Sequence, residues 1–214
     1  MTPATDRDLL LLEPCLFNDL AFLGQLRARD PGATLAGTRL TAASTDFAAA
    51  GIDAGHVVLV GETPCEVIGR VSESELELSL IRADPADPPI PPSPRESGPY
   101  DAVVRSFGPQ LARAHRHLLR LLAVGPESGP DAPPESCVVS QGVVGELVAR
   151  RALADLYAAG AAVTDDQSGL LDKADRHHRG FDRLLRRSLV WLDLNGDGIG
   201  DTARRFDSLA LDRR

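Results

Sequence analysis

TLAGTRLT at 34–41, VVLV at 57–60, EVIGRV at 66–71 and ELELSL at 75–80 are the stretches on which the fold of this chain turns. In the last, Leu76, Leu78 and Leu80 face one way and Glu75, Glu77 and Ser79 the other, which is the period of a half-buried strand. Gly51, Gly55, Gly61 and Ser72-Glu73-Ser74 supply turns between the runs. Four or five short strands in so short a span must close or be covered to hide their edges, so residues 33–83 are expected to form a small β-barrel or roll.

On both sides of these runs the period changes to helical. Leu16, Leu20 and Leu23, with Phe17 and Leu26 beside them, predict a helix over 14–29, started by Pro14 and ended by Asp30-Pro31-Gly32. On the other side, residues 84–99 (DPADPPIPPSPRESGP) hold seven prolines and read as a stiff, extended arm. Three apolar stripes follow. Val103, Phe107, Leu111, Ala114, Leu118 and Leu122 form the first; Val144, Val148, Ala152, Leu156, Ala159 and Val163 the second, with Ser140 as N-cap. Leu170, Ala174, His178, Phe181, Leu185, Leu189 and Leu192 form the third, and GPESGPDAPPES at 125–136 separates the first from the second. The expected architecture is α+β. A four-helix bundle (1–32 and 100–192) carries the β module (33–83) inserted between helices 1 and 2, with an arm at 84–99 and a loop and tail at 193–214.

The chain has 214 residues, is 43% hydrophobic and carries a net charge of −8, enough apolar material for a real core. No apolar run reaches the roughly 18 residues of a membrane span, and the N-terminus does not read as a signal peptide. The charge is uneven: residues 1–99 hold 15 acidic and 7 basic side chains, whereas 100–214 hold 16 of each. The acidic half disfavours non-specific attraction to nucleic acid or anionic membrane. The local exception, Lys173 to Arg187 with six basic and two acidic residues, reads as a solvated helix face with Asp–Arg pairs. Cys15, Cys65 and Cys137 are scattered and odd in number, which fits neither a disulfide framework nor a zinc site.

Asp193-Leu194-Asn195-Gly196-Asp197-Gly198-Ile199-Gly200-Asp201 places oxygen-bearing side chains at alternate positions, with glycine after the third. That spacing suits a calcium loop, with Asp193, Asn195, Asp197 and Asp201 as ligands; it equally suits a turn whose side chains bond their own backbone. The twelfth position, where a calcium-binding helix–loop–helix supplies glutamate, is Arg204. Trp191 reads as an anchor for the loop. His115 and His117 point apart on a helix, His178 lies on the third apolar stripe, and no nucleophile elbow, phosphate loop or dinucleotide fingerprint occurs. Glu62, Glu66, Glu73, Glu75 and Glu77 are expected to face solvent for the most part, so no catalytic residue is assigned and the chain is not expected to be an enzyme.

The segment 33–80, ATLAGTRLTAASTDFAAAGIDAGHVVLVGETPCEVIGRVSESELELSL, resembles a small β module that recurs in tailed-phage and prophage structural proteins. The matching pieces are Gly37-Thr38, Asp46-Phe47, Gly51-Ile52, Gly55-His56, Glu66-Val67-Ile68, Val71-Ser72 and Leu76-Glu77-Leu78, with His56 where an acidic residue is commoner. The helical part with its terminal LDLNGDGIGD is similar to head–tail connector (adaptor) proteins of tailed phages. The resemblance implies a virion structural protein assembled in the cytoplasm. On that expectation it forms a homo-oligomeric ring between portal and tail-completion proteins, with neither specific nucleic acid nor membrane as partner. A non-catalytic calcium-binding or adhesion module using the 193–201 loop is the alternative.

Overall fold

A computed structural model describes residues 3–94, 98–164 and 167–206. Residues 95–97 of the expected arm and 207–214 of the expected tail lie outside the described residues. The chain divides into two compact units. One is Thr5–Gly108; the other joins Met1–Ala4 to Pro109–Arg214.

The first unit is built on a closed, six-stranded antiparallel barrel in the order β1-β2-β5-β4-β3-β6. Its strands are β1 (Gln25–Ala36), β2 (Arg39–Thr41), β3 (Val57–Val60), β4 (Thr63–Arg70), β5 (Glu75–Ser79) and β6 (Tyr100–Ser106). The barrel thus runs past both ends of the expected 33–83 module. Closure depends on β1 pairing with both β2 and β6. The interior is filled by Leu40, Val58, Val60, Cys65, Val67, Leu76, Leu78 and Val104, with small Ala28, Ala33 and Ala102 where strands crowd. A barrel this narrow is packed solid by side chains rather than left open. Phe47 and Ile52, both from the motif pieces quoted above, drop from the connecting loop into the same core. Gly37, at φ +63, makes the tight β1–β2 turn that a residue with a side chain would strain.

The span 14–29 expected as one helix holds the short helix α2 (Leu16–Asp19) and the start of β1, and another short helix, α1 (Asp6–Leu12), precedes it. Leu16, Phe17 and Leu20 are buried as their spacing suggests. From Gln25 on, the chain alternates, but its inward residues are Ala28, Asp30 and Ala33, so hydropathy does not display the alternation. Pro31-Gly32, expected to end a helix, lies at a bulge within β1, where a missing N–H is tolerated. Likewise Val103 belongs to β6, whose inward residues are Ala102, Val104 and Ser106. The helix that follows, α3, spans Gly108–Leu121.

Arms of the barrel unit are tied by charge. Glu66 is fully buried and accepts from the Nε of both Arg7 and Arg82. Arg7 Nη2 also donates to the Arg82 carbonyl at 2.6 Å, and Arg82 Nη1 donates to the carbonyls of Pro85 and Asp87. The start of the proline-rich stretch is therefore laced to the barrel; the Leu80 N–H donates to Ile90 O and the Ile90 N–H to Ser79 Oγ.

In the second unit α4 (Gln141–Val163) is the central helix, buried on most sides, and packs on α5 (Gln167–Arg187). Gly145 lets the Pro3 backbone cross close to it; a Cβ there would lie 2.7 Å from the Pro3 carbonyl oxygen. The expected α4 stripe is buried at Val144, Val148, Ala152 and Leu156, then drifts to Gly160 and Ala161 and leaves Val163 exposed. Steps of four overshoot a 3.6-residue turn, so the line rotates off the core. The four-helix bundle is not what forms: α1 and α2 belong to the barrel unit, and the second unit carries α3, α4 and α5. The helix of the third stripe ends at Arg187, and β7 (Val190–Leu192) pairs with β8 (Thr202–Arg204) in a hairpin.

Candidate functional site

The β7–β8 hairpin presents residues 193–201 as its loop. Asp193 is the hub: its two carboxylate oxygens accept N–H groups from Gly196 at 2.7 Å, Asp197 at 3.2 Å and Gly198 at 2.7 Å. The Gly198 N–H, with those of Gly196, Asp197 and Asn195, holds the Asp193 carboxyl below its ordinary range against a smaller opposing effect of burial. Asn195 Oδ1 accepts from Asp197 N–H, Asp197 Oδ1 from Ile199 N–H, and Asp201 from Leu194 and Asn195 N–H. The four expected ligands therefore share one turn, but each directs oxygen at backbone N–H groups. Among the described residues no three His, Cys, Asp or Glu side chains are grouped to hold a metal ion.

Arg204, out of place in a calcium loop, has a different task. Its Nη1 donates to the carbonyls of Leu122 and Ala123 just past the end of α3. Ala123 sits at φ +52, a left-handed conformation that favours glycine, and the helix-end carbonyls gain a cationic donor there. Trp191 supports the loop from the strand: a Cβ on Gly200 would meet Trp191 Cβ at 2.7 Å. The Trp191 N–H donates to Ser140 Oγ at 3.0 Å, so Ser140 stands at the start of α4 without capping it through its side chain. Trp191 remains 43% exposed, and Val139, Leu189, Leu194 and Ile199 are exposed as well.

α5 is amphipathic. Its buried residues include Ala174, His177, Phe181 and, just beyond its end, Ser188. His177, not the expected His178, is the inward histidine; its ring stacks on Tyr157 at 5.9 Å, almost parallel. His178 points outward and lies 3.6 Å from Asp182. Asp175 pairs with Arg179 at 2.6 Å, in keeping with the expected Asp–Arg lacing, whereas Arg183, Arg186 and Arg187 are exposed and pair with no carboxylate among the described residues. On α3, burial lowers the pKa of His115, whose ring is 3.8 Å from Glu135.

In the barrel unit, Glu66 is the carboxylate that departs from the solvent-facing expectation. Its strand neighbours Cys65 and Val67 point inward, so Glu66 lies on the outer face, buried with Arg7 of α1 and Arg82 after β5. Asp30 is a second buried carboxylate. Burial opposes its ionisation, yet N–H groups of Ser44, Ala43 and Gly32 and the Thr45 side chain outweigh this and hold its pKa at about 2. Asp6 is a third: burial raises its pKa, countered by the Phe107 N–H that it accepts at 2.8 Å. Cys65, sealed in the core, is pushed up to about 12 by burial, which suits an inert thiol. Cys137 is also buried and Cys15 is exposed; all three are free thiols.

Alternation and spacing could not single out Asp30 or Glu66, because all their partners but Gly32 come from residues 14 to 59 positions away. No helix among the described residues is long and apolar enough to cross a membrane. Comparison with known proteins gives no matching family model, no matching curated protein and no matching solved structure.

Proposed function

We propose that this chain is a structural component of a phage or phage-like particle, a head–tail adaptor that assembles into a ring between portal and tail. The observation that carries the reading is where apolar surface has been left. The barrel is packed solid, yet Phe22 in the turn before β1 and Leu26 on β1 are each 53% exposed. In the other unit the hairpin exposes Trp191 and Ile199, the segments beside it expose Val139 and Leu189, and the end of α5 adds exposed arginines. Exposed aromatic, aliphatic and arginine side chains in company are the composition of protein–protein contact surfaces. The turn residues behind the resemblance to phage β modules, Gly37, Asp46-Phe47 and Gly51-Ile52, are the ones that close and fill this barrel, which adds support at the level of fold.

The role is non-catalytic: copies of this chain grip one another, and the ring grips portal and tail-completion proteins. Assembly takes place in the cytoplasm and the finished chain resides in the particle. Light scattering on the purified chain, with mass spectrometry of particles from the source cell, tests this. Multimeric mass and a constant copy number in particles are the expected results; absence from the particles of a source that makes them overturns the reading.

A further inference from the structure

The outward face of α5 carries Arg176, Arg179, Arg183 and Arg187 at spacings of three, four and four, which aligns them in one stripe along the helix. Eleven residues of helix set that stripe at about 16 Å. At its far end Arg183, Arg186 and Arg187 pair with no carboxylate among the described residues, and exposed Leu189 and Trp191 follow directly. Guanidinium groups without a carboxylate partner among the described residues, beside an exposed tryptophan, have the make-up of an interface centre rather than of an ordinary solvated helix.

The barrel unit offers the complement. Residues 5–108 hold 16 acidic and 8 basic side chains, a net charge of −8. The densest acidic run is β5 and its entry. Leu76 and Leu78 point into the core, so Glu75 and Glu77 face outward, with exposed Glu73 just before them. Arg39 on β2 reaches Glu75 at 3.8 Å, but Glu73 and Glu77 make no ion pair among the described residues. Glu75 and Glu77 share the outer face of β5, and Glu73 stands in the turn that enters the strand, so the acidic run continues past the strand's end.

We propose that the α5 arginine stripe of one copy docks on the outer face of β5 in the barrel of a second copy. This rests on the ring reading and adds which surfaces meet. Two different patches then form the contact, so it is head-to-tail, and its rotation decides between a closed ring and an open filament. Opposite charge steers the encounter and sets the register.

Sedimentation velocity on the full chain in low and high salt tests this with two reversal variants. One is Arg183→Glu with Arg186→Glu and Arg187→Glu; the other is Glu73→Arg with Glu77→Arg. The parent is expected to self-associate, more weakly as salt rises. Each variant alone weakens association by at least about tenfold. Mixing the two restores it, because the acidic stripe of one meets the basic barrel of the other; a misfolded variant cannot reproduce that rescue. A parent that stays monomeric, a stripe variant that associates as the parent does, or a mixture that stays apart overturns the proposal. So does a parent that binds a DNA duplex through these arginines while its self-association survives their reversal. A stripe variant that still assembles leaves the ring reading standing, whereas absence of the chain from particles removes the ring reading itself.

Discussion

Replacing Asp30 with asparagine will loosen the barrel by an amount the structure sets. Asp30 is 1% exposed, and its oxygens accept the N–H groups of Gly32 at 3.1 Å, Ser44 at 2.8 Å and Thr45 at 2.9 Å, as well as the Ser44 hydroxyl. These bonds fasten the loop after β2 to the bulge in β1. Lowering the carboxyl from 3.8 to about 2 corresponds to about 2 kcal/mol favouring the ionised native form. The native pKa is depressed, so this stabilisation is fully present above the unfolded value of 3.8 and is lost as pH falls from there towards about 2. The Asp30→Asn side chain keeps one acceptor but turns an amide group towards backbone donors. Barrel stability should therefore drop by about 2–3 kcal/mol at pH 7. Urea titration followed by the methyl resonances of Leu40, Leu76 and Leu78 reads the barrel directly. The gap between parent and variant should narrow as both are taken to pH 2. A variant within about 0.5 kcal/mol of the parent at neutral pH, or a gap unchanged by acid, would refute the reasoning.

Three further outcomes follow from named contacts. Arg82→Met leaves buried Glu66 with Arg7 alone and should destabilise the barrel unit by about 3–5 kcal/mol, with partial recovery on adding Glu66→Gln, read by the same urea titration. Burial raises the pKa of Asp6, so the native state holds that proton to higher pH than the unfolded chain, and parent stability declines as pH rises through the interval above 3.8. Asp6→Asn keeps an acceptor for the Phe107 N–H and should remove that slope without loss at pH 7; a variant less stable than the parent there would count against it. Asp193→Ala removes the acceptor of three backbone N–H groups and should lower the melting transition of the hairpin, followed by Trp191 fluorescence, equally with and without calcium. A calcium-dependent rise in the parent that the variant lacks would restore the cation reading of the loop.

The parts of the fold visible in the sequence are those whose inward residues are large and apolar. Leu76 and Leu78 mark β5, and Val144, Val148, Ala152 and Leu156 mark α4. The strands that close the barrel point Ala28, Asp30 and Ala33 inward on β1, and Ala102, Val104 and Ser106 on β6. Small or polar inward residues leave no period-two signal, while nearby leucines and valines mimic helical spacing. The same limit applied to function. Glu66 sits in an alternating strand like its exposed neighbours, and only Arg7 and Arg82, far off in sequence, bury it. His177 and His178 are adjacent, and a rotation of about 100° per residue decides which meets Tyr157. In the terminal loop, oxygens at alternate positions serve backbone N–H groups or a cation with equal ease, so spacing identified the compact turn and left its occupant open.

Electron cryomicroscopy of particles from the source cell, focused on the neck between capsid and tail, tests the adaptor role most directly. Density for a six-stranded barrel and the α4–α5 helix pair, repeated around the axis beneath the portal, is the predicted result. A neck whose every ring is accounted for by other chains would contradict it.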